Sequence, residues 1–205
     1  MSPRFIVPII GATAILMLAP AGAQDPSAEQ PISADELKAL VGDIQPQSSA
    51  ALFLPLSALE NPEVAASISP VAVDAESGVA IDGYDPVGYF TRKEATLGSE
   101  EFTATHEGAI YHFASAENRD LFLKDPDRFA PAYGGYCTHS LAHGNLTPGN
   151  PNHWTIHGDR LFLTRTAGST KEFRAESARI AETAQSNWEV SPLASTDNYN
   201  IRAHQ

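Results

Sequence analysis

Cysteine and positive charge are both scarce in this sequence, and each shortage excludes a class of protein. Cys137 is the single cysteine among 205 residues, which rules out an intramolecular disulfide and a metal site built on several thiolates. Lys and Arg total 13 against 25 Asp and Glu, a net charge of −12. Because a phosphate-binding surface must be basic, we expect no nucleic-acid partner and no attraction to an anionic membrane.

Long hydrophobic runs are also scarce, and the clearest one lies near residue 1. Phe5–Ala19 is shorter than the roughly 20 apolar residues of a membrane-spanning helix. Arg4 precedes this run, and the small residues of a cleavage site, Ala21-Gly22-Ala23, follow it. We therefore predict a Sec-type signal peptide over residues 1–23. The mature chain would be secreted or periplasmic, with no stable membrane insertion after cleavage.

Composition divides the rest of the chain into three segments. Residues 24–76 carry nine acidic residues and one basic residue, which predicts an acidic, partly ordered extension. Residues 77–188 alternate strand-like and helix-like patterns, which predicts a folded domain. Residues 189–205 are polar and predict a tail. We find no internal repeat in the sequence.

The pattern within residues 77–188 predicts an α+β domain of short antiparallel hairpins and several helices. Turn pairs at Glu107-Gly108 and Gly158-Asp159 each lie between strand-like runs and predict two hairpins. Alternation around Val79 and Ile81 predicts a further strand. Apolar spacing predicts that the longest helix covers Thr170–Trp188.

Several motifs in this region together resemble the YHS-domain family, in particular its exported, selenoprotein-related branch. The motifs are Gly78–Phe90, Tyr111–Ser115, Asn118–Phe122, Asp125–Pro131, Tyr133–Cys137, Gly158–Leu163 and Asn187-Trp188. The resemblance implies a small α+β domain and association with a heavy metal. It also implies that Cys137 lies near the position of selenocysteine in some relatives.

The sequence departs from the metal-binding members of that family at two positions. Those members carry cysteines where this chain has Gly88 and Ala114. The thiolate site that the resemblance implies is therefore missing. Histidine is the remaining supply of ligands, with six between His106 and His157.

Cys137 is the candidate redox residue and also a candidate metal ligand. It follows two glycines and a tyrosine at the predicted start of a short helix, where unpaired N–H groups favour a thiolate. A cysteine at such a position is equally often a buried core residue with no reactivity. The sequence leaves these three roles open.

His139 and His143 are the strongest candidate metal ligands. Four residues apart on one short helix, they share a face, as paired histidines do in many metal sites. Cys137 or His112 is the candidate third ligand. The mature chain has no methionine after Met17, so soft thioether ligands for copper(I) are missing and copper(II), zinc or nickel is favoured.

These observations favour two functions, and a third, a structural adaptor that uses the acidic extension, stays open. The first is an exported YHS-type protein that binds or handles a heavy metal without catalytic turnover. The second is a thiol redox protein that uses Cys137, with the resolving thiol supplied by another molecule because the chain has no second cysteine. In either case the expected partner is a metal ion or another periplasmic protein.

Overall fold

The computed structural model describes residues 53–195 as short helices and three antiparallel strand pairs, which confirms the expected α+β class. The predicted signal peptide and the residues beyond 195 lie outside this range. Within it, no helix is both long enough and apolar enough to cross a membrane.

The described chain begins with a short strand and two helical turns. These are β1 (Leu54–Pro55), a 3₁₀ turn (Leu56–Glu60) and α1 (Pro62–Ser67). Asn61 stabilises the start of α1, because its side chain accepts the N–H of Glu63 at 2.9 Å.

Two left-handed turns follow, and each is continued by a series of strands and helices. Ile81, Asp82 and Gly83 form the first turn, with φ of 46°, 50° and 76°. The second turn, from Tyr133 to Gly135, has φ of 56°, 59° and 84°. Positive φ costs about 1–2 kcal/mol for a residue other than glycine, so the surrounding packing must hold both turns.

The elements after each turn occur in the same order. The first turn is followed by α2 (Gly88–Thr91), β2 (Ser99–His106), β3 (Ala109–Phe113), α3 (Ala116–Lys124) and α4 (Pro126–Phe129). The second is followed by α5 (Thr138–Ala142), β4 (Asn145–Leu146), β5 (Asn150–His157), β6 (Arg160–Thr164), α6 (Ala167–Ala175) and α7 (Ser177–Glu189). A 3₁₀ turn, Pro192–Ser195, comes last. The strand pairs are β1 with β4, β2 with β3 and β5 with β6.

These two series are structural copies, which corrects the expectation of no internal repeat. The strands and helix that begin at 99, 109 and 116 have counterparts of equal length at 150, 160 and 167. The hairpin registers also match. Thr103 pairs with His112 as Trp154 pairs with Leu163, and each hairpin has an irregularity just before that pair. We call residues 80–130 the first repeat and residues 132–189 the second repeat.

Close backbone packing explains one of the few identities between the repeats. A Cβ on Gly98 would lie 2.5 Å from the carbonyl carbon of His112. At the equivalent Gly149, a Cβ would lie 2.5 Å from the Cβ of Leu163. Each glycine N–H also donates to the last residue of its left-handed turn, at 2.8 Å to Gly83 and 2.9 Å to Gly135. Both repeats therefore need glycine at this position, whereas most other positions have diverged.

The buried side chains form two hydrophobic clusters on either side of β6. Phe162 belongs to the cluster built mainly from the second repeat, including α7, and from the segment before residue 77. Leu161 and Leu163 belong to the cluster built mainly from the first repeat. Because successive side chains on a strand point to opposite faces, this one strand connects the two clusters.

The packed region starts earlier and ends later than the predicted domain of residues 77–188. Leu54, Leu59 and Val71 are buried before that boundary, and Leu193 is buried after it. The N–H of Ala72 donates to the carbonyl of Gly134 at 2.8 Å. Residues 53–76 are therefore part of the core, and acidic composition alone did not reveal this.

Two local predictions are wrong. The expected helix from Thr170 to Trp188 is divided into α6 and α7 at Glu176, whose φ of −134° and ψ of 38° are not helical. The expected strand at Val79 and Ile81 is an isolated bridge followed by the first left-handed turn. In both places the backbone resembles the equivalent segment of the other repeat, and the local hydrophobic pattern does not predict that conformation.

We predict that Gly134→Ala destabilises the fold strongly. A Cβ there would overlap the carbonyl oxygen of Pro70 and lie 2.9 Å from the Cα of Val71, at a φ of 59°. The free energy of unfolding, measured by urea denaturation, should fall by about 3 kcal/mol or more. Gly144→Ala is the matched control, because Gly144 also has positive φ but open space around its Cβ position, so it should cost about 1 kcal/mol. Equal losses would mean that residues 70–71 do not pack against the turn as described.

Candidate metal site

His139 and His143 lie next to each other on α5 and its C-terminal cap. Their ring centroids are 4.5 Å apart, with 33° between the ring planes. Nδ1 of His143 lies 2.8 Å from the backbone carbonyl oxygen of His139. The predicted pairing of these two imidazoles on one helix face is therefore present.

Glu172 on α6 is a third polar group at this site, and sequence spacing could not reveal it. Its Oε2 lies 2.7 Å from Nε2 of His139. The His139 side chain is 21% exposed and that of Glu172 is 66% exposed, so the carboxylate can move while the imidazole is largely held. The two residues are 33 positions apart, and only the packing of α5 against α6 brings them together.

The hydrogen bonds define which ring nitrogens can bind a metal. A carbonyl oxygen only accepts, so Nδ1 of His143 carries the proton and its Nε2 keeps a lone pair. Metal-ligating histidines commonly donate their other ring N–H to a backbone carbonyl in this way. Nε2 of His139 donates to the Glu172 carboxylate, and a bound metal would replace that proton.

The remaining predicted ligands do not join this pair. Within residues 53–195, no three His, Cys, Asp or Glu side chains form a ready-made metal-binding group. His112 lies on β3 in the first repeat, where its Nδ1 is 3.3 Å from the position of a Cβ on Gly83. Cys137 is fully buried at the start of α5. Of the predicted set of His139, His143, Cys137 and His112, the structure places the first two side by side. Together with Glu172 they lie close to one another without forming a ready-made group of three ligands.

Cys137 occupies the position that Asp85 holds in the first repeat. Each follows a left-handed turn and a tyrosine, and the N–H of each donates to a threonine carbonyl, Thr147 at 2.7 Å and Thr96 at 2.8 Å. Cys137 caps α5 through its sulfur, which accepts the N–H of Ser140 at 3.4 Å. The equivalence indicates that this position serves to start a helix in both repeats.

Asp85 fixes the centre of the first repeat. Its Oδ1 accepts the N–H of Val87 at 2.8 Å and that of Gly88 at 3.3 Å. Its Oδ2 accepts the N–H of Ala114 at 2.9 Å and the side-chain amide of Asn118 at 2.5 Å. Asp85 is fully buried, and these four donors satisfy its carboxylate. Its role is structural, as is typical of an Asp before a Pro at the start of a helical turn.

The other carboxylates of this region are also explained by local structure. Burial, and next the charge of Asp74, raises the pKa of Asp82. The backbone and hydroxyl of Ser77 lower the pKa of Asp74 by donating hydrogen bonds to it. Asp82 lies in the first left-handed turn and Asp74 in the turn before the first repeat, so local contacts account for both pKa directions.

The other histidines of the hairpins have separate surroundings. His106 lies 3.5 Å from a carboxylate oxygen of Asp127 and packs edge-to-face on Phe122. His153 and His157 lie on β5, where His157 is exposed and His153 partly exposed. None of these three histidines belongs to the His139 and His143 pair on α5.

Comparison with protein-family models, curated proteins and solved structures gives no match for this chain. Function therefore has to be argued from the geometry and from the motifs of the sequence.

We predict that Cys137 in the native protein resists thiol reagents. Its side chain is fully buried, so a reagent must wait for local opening. Reaction with Ellman's reagent should be at least about 100-fold slower without denaturant than in concentrated urea. The control is Cys137→Ser combined with Ser186→Cys, which places one thiol at an exposed position of α7 and should react rapidly. Rapid stoichiometric reaction of native Cys137 would contradict a purely structural role and favour the redox function.

Proposed function

We propose that this chain is an exported YHS-type protein that binds a transition metal ion and has no catalytic turnover of its own. The ligands we assign are His139 and His143, with Glu172 as the third. The observation that carries this assignment is the His143 ring, whose Nδ1 donates to a backbone carbonyl while its Nε2 keeps a lone pair.

The surroundings of Asp85 support the resemblance to the YHS family. Gly88 and Ala114 stand where metal-binding members carry cysteines. Both N–H groups donate to the same Asp85 carboxylate, so the two positions lie around one buried group. The first repeat thus brings these two positions to one carboxylate without the thiolates, and the second repeat carries the histidine pair.

The geometry of the pair predicts a modest affinity. Ligands in a tetrahedral zinc site lie roughly 3.3 Å apart, since each metal–ligand bond is about 2.0–2.1 Å. Nε2 of His139 and Oε2 of Glu172 lie 2.7 Å apart, so they must separate slightly to admit a metal. With two imidazoles, a mobile carboxylate and water as ligands, copper(II), zinc and nickel are all suitable. We expect exchangeable binding in the micromolar range.

The alternative function, thiol redox chemistry at Cys137, requires a larger change in the molecule. The sulfur is buried and accepts the hydrogen bond that caps α5. Attack on another molecule's disulfide would need the start of α5 to open. A metal ion can reach His143 and Glu172 without any such opening.

Removing both imidazoles should abolish specific metal binding. In calorimetric titrations of the mature chain with zinc, copper(II) and nickel, His139→Ala/His143→Ala should weaken binding at least tenfold. The control, His153→Ala/His157→Ala, removes two imidazoles from β5 and should change affinity less than twofold. Equal losses in the two double variants would mean that surface histidines bind metal adventitiously. The absence of micromolar binding in the native chain would leave Cys137 as the better candidate.

Glu172→Gln tests the third ligand and the charge of the site. We expect a three- to tenfold loss of zinc affinity with unchanged stability, because the amide keeps the shape of the side chain but not its negative charge.

Acidification to about pH 5 should release the metal from the native chain, since a protonated imidazole has no lone pair to donate. Metal retained at that pH would contradict histidine ligation.

A further inference from the structure

The second repeat contains an open cleft between β5 and one face of α6. Its volume is about 290 Å³, near the lower limit for small-molecule sites. The lining residues are Asn152, His153, Ala167, Thr170, Lys171 and Arg174. The four helical residues among them recur at the spacing of a single helix face. Glu172 falls outside that spacing, so the cleft is separate from the proposed metal site.

The cleft is positively charged in a strongly acidic protein. Lys171 and Arg174 are permanently charged near neutral pH, and the residues lining the cleft include no Asp or Glu. The chain as a whole carries a net charge of −12. A cationic concavity on such a molecule gives an anion a local attraction that the rest of the surface opposes.

Arg174 is held in place by the strand opposite. Its Nη2 donates to the backbone carbonyl of Trp154 at 2.8 Å, and its Nε donates to Oγ1 of Thr155 at 3.1 Å. A guanidinium has five N–H donors, so donors remain for a ligand in the cleft. Thr170 is fixed as well, since its hydroxyl lies 2.6 Å from that of Thr164. Arg174 and Thr170 are therefore held by hydrogen bonds within the protein, whereas Lys171 and Asn152 are exposed at the rim of the cleft.

The first repeat provides an internal comparison. Helices α3 and α6 are equivalent with an offset of 51 residues. Asp120 is therefore the counterpart of Lys171, and Leu123 is the counterpart of Arg174. In the first repeat Arg119 pairs with Asp120 at 2.9 Å, and Leu123 is 56% exposed. The first-repeat equivalents of the lining residues include Glu101 and Asp120 against Arg119, so this groove has no net positive charge there, whereas it is positive in the second repeat. The positive charge is thus a feature of the second repeat and not a requirement of the fold.

We propose that this cleft binds a small oxyanion, either a carboxylate or a phosphate group. Arg174 would bind two oxygens through its remaining donors, and Lys171 would neutralise the second charge. Asn152 supplies an amide at the rim that can hydrogen-bond to the rest of the ligand. The volume is sufficient for inorganic phosphate or a short dicarboxylate.

The test uses inorganic phosphate and succinate as two separate probes of the mature chain. Amide NMR shifts should change at residues 152–154 and 167–174 on titration to about 20 mM, and the probe that binds more tightly distinguishes the phosphate class from the carboxylate class. Lys171→Ala should weaken binding at least fivefold. The control Arg179→Ala removes one positive charge from exposed α7 and should change affinity less than twofold.

Two results would overturn the proposal. One is the absence of shift changes in the cleft with both probes. The other is an equal loss of affinity in Lys171→Ala and Arg179→Ala, which would indicate attraction to net charge rather than to a site. A Lys171→Gln variant, which keeps a long side chain, should behave as Lys171→Ala if charge is the cause.

Discussion

The fold depends on one backbone feature, a left-handed turn of three residues. A hydrogen bond from a closely packed glycine holds the turn, and a helix cap follows it. The turn ends at Gly83 in the first repeat and Gly135 in the second, and both carbonyls accept the N–H of a glycine that leads into a hairpin. Because the glycine has no Cβ, the chain entering the hairpin can pack directly against the hairpin's second strand, at His112 in the first repeat and Leu163 in the second. The hairpin and the following helix are thereby placed in the same way twice.

The two repeats carry residues with different roles at equivalent positions. The cap after the first turn is Asp85, which gathers donors from α2, the end of β3 and α3. The cap after the second turn is Cys137, and the helix that it starts carries His139 and His143. The first repeat therefore supplies a fixed framework, and the second repeat supplies both polar sites, the imidazole pair and the cationic cleft.

Sequence reasoning predicted the fold class, both hairpins and the spacing of the histidine pair, because each depends on local periodicity or turn chemistry. It missed the repeat, because the copies share a residue type at few positions, among them the buried Phe122 and Phe173. It also missed Glu172, which reaches His139 only through helix packing. The core role of residues 53–76 was hidden because Val71 and its buried neighbours lie within an acidic, proline-rich composition.

We propose His139, His143 and Glu172 as the ligands of a metal ion. The most direct measurement is anomalous diffraction at the zinc edge from crystals of the mature protein grown with zinc. The account predicts a peak within about 2.2 Å of Nε2 of His143, with an imidazole nitrogen of His139 and a Glu172 oxygen as further ligands. A peak at Cys137 or at His153 and His157, with none beside His143, would contradict it.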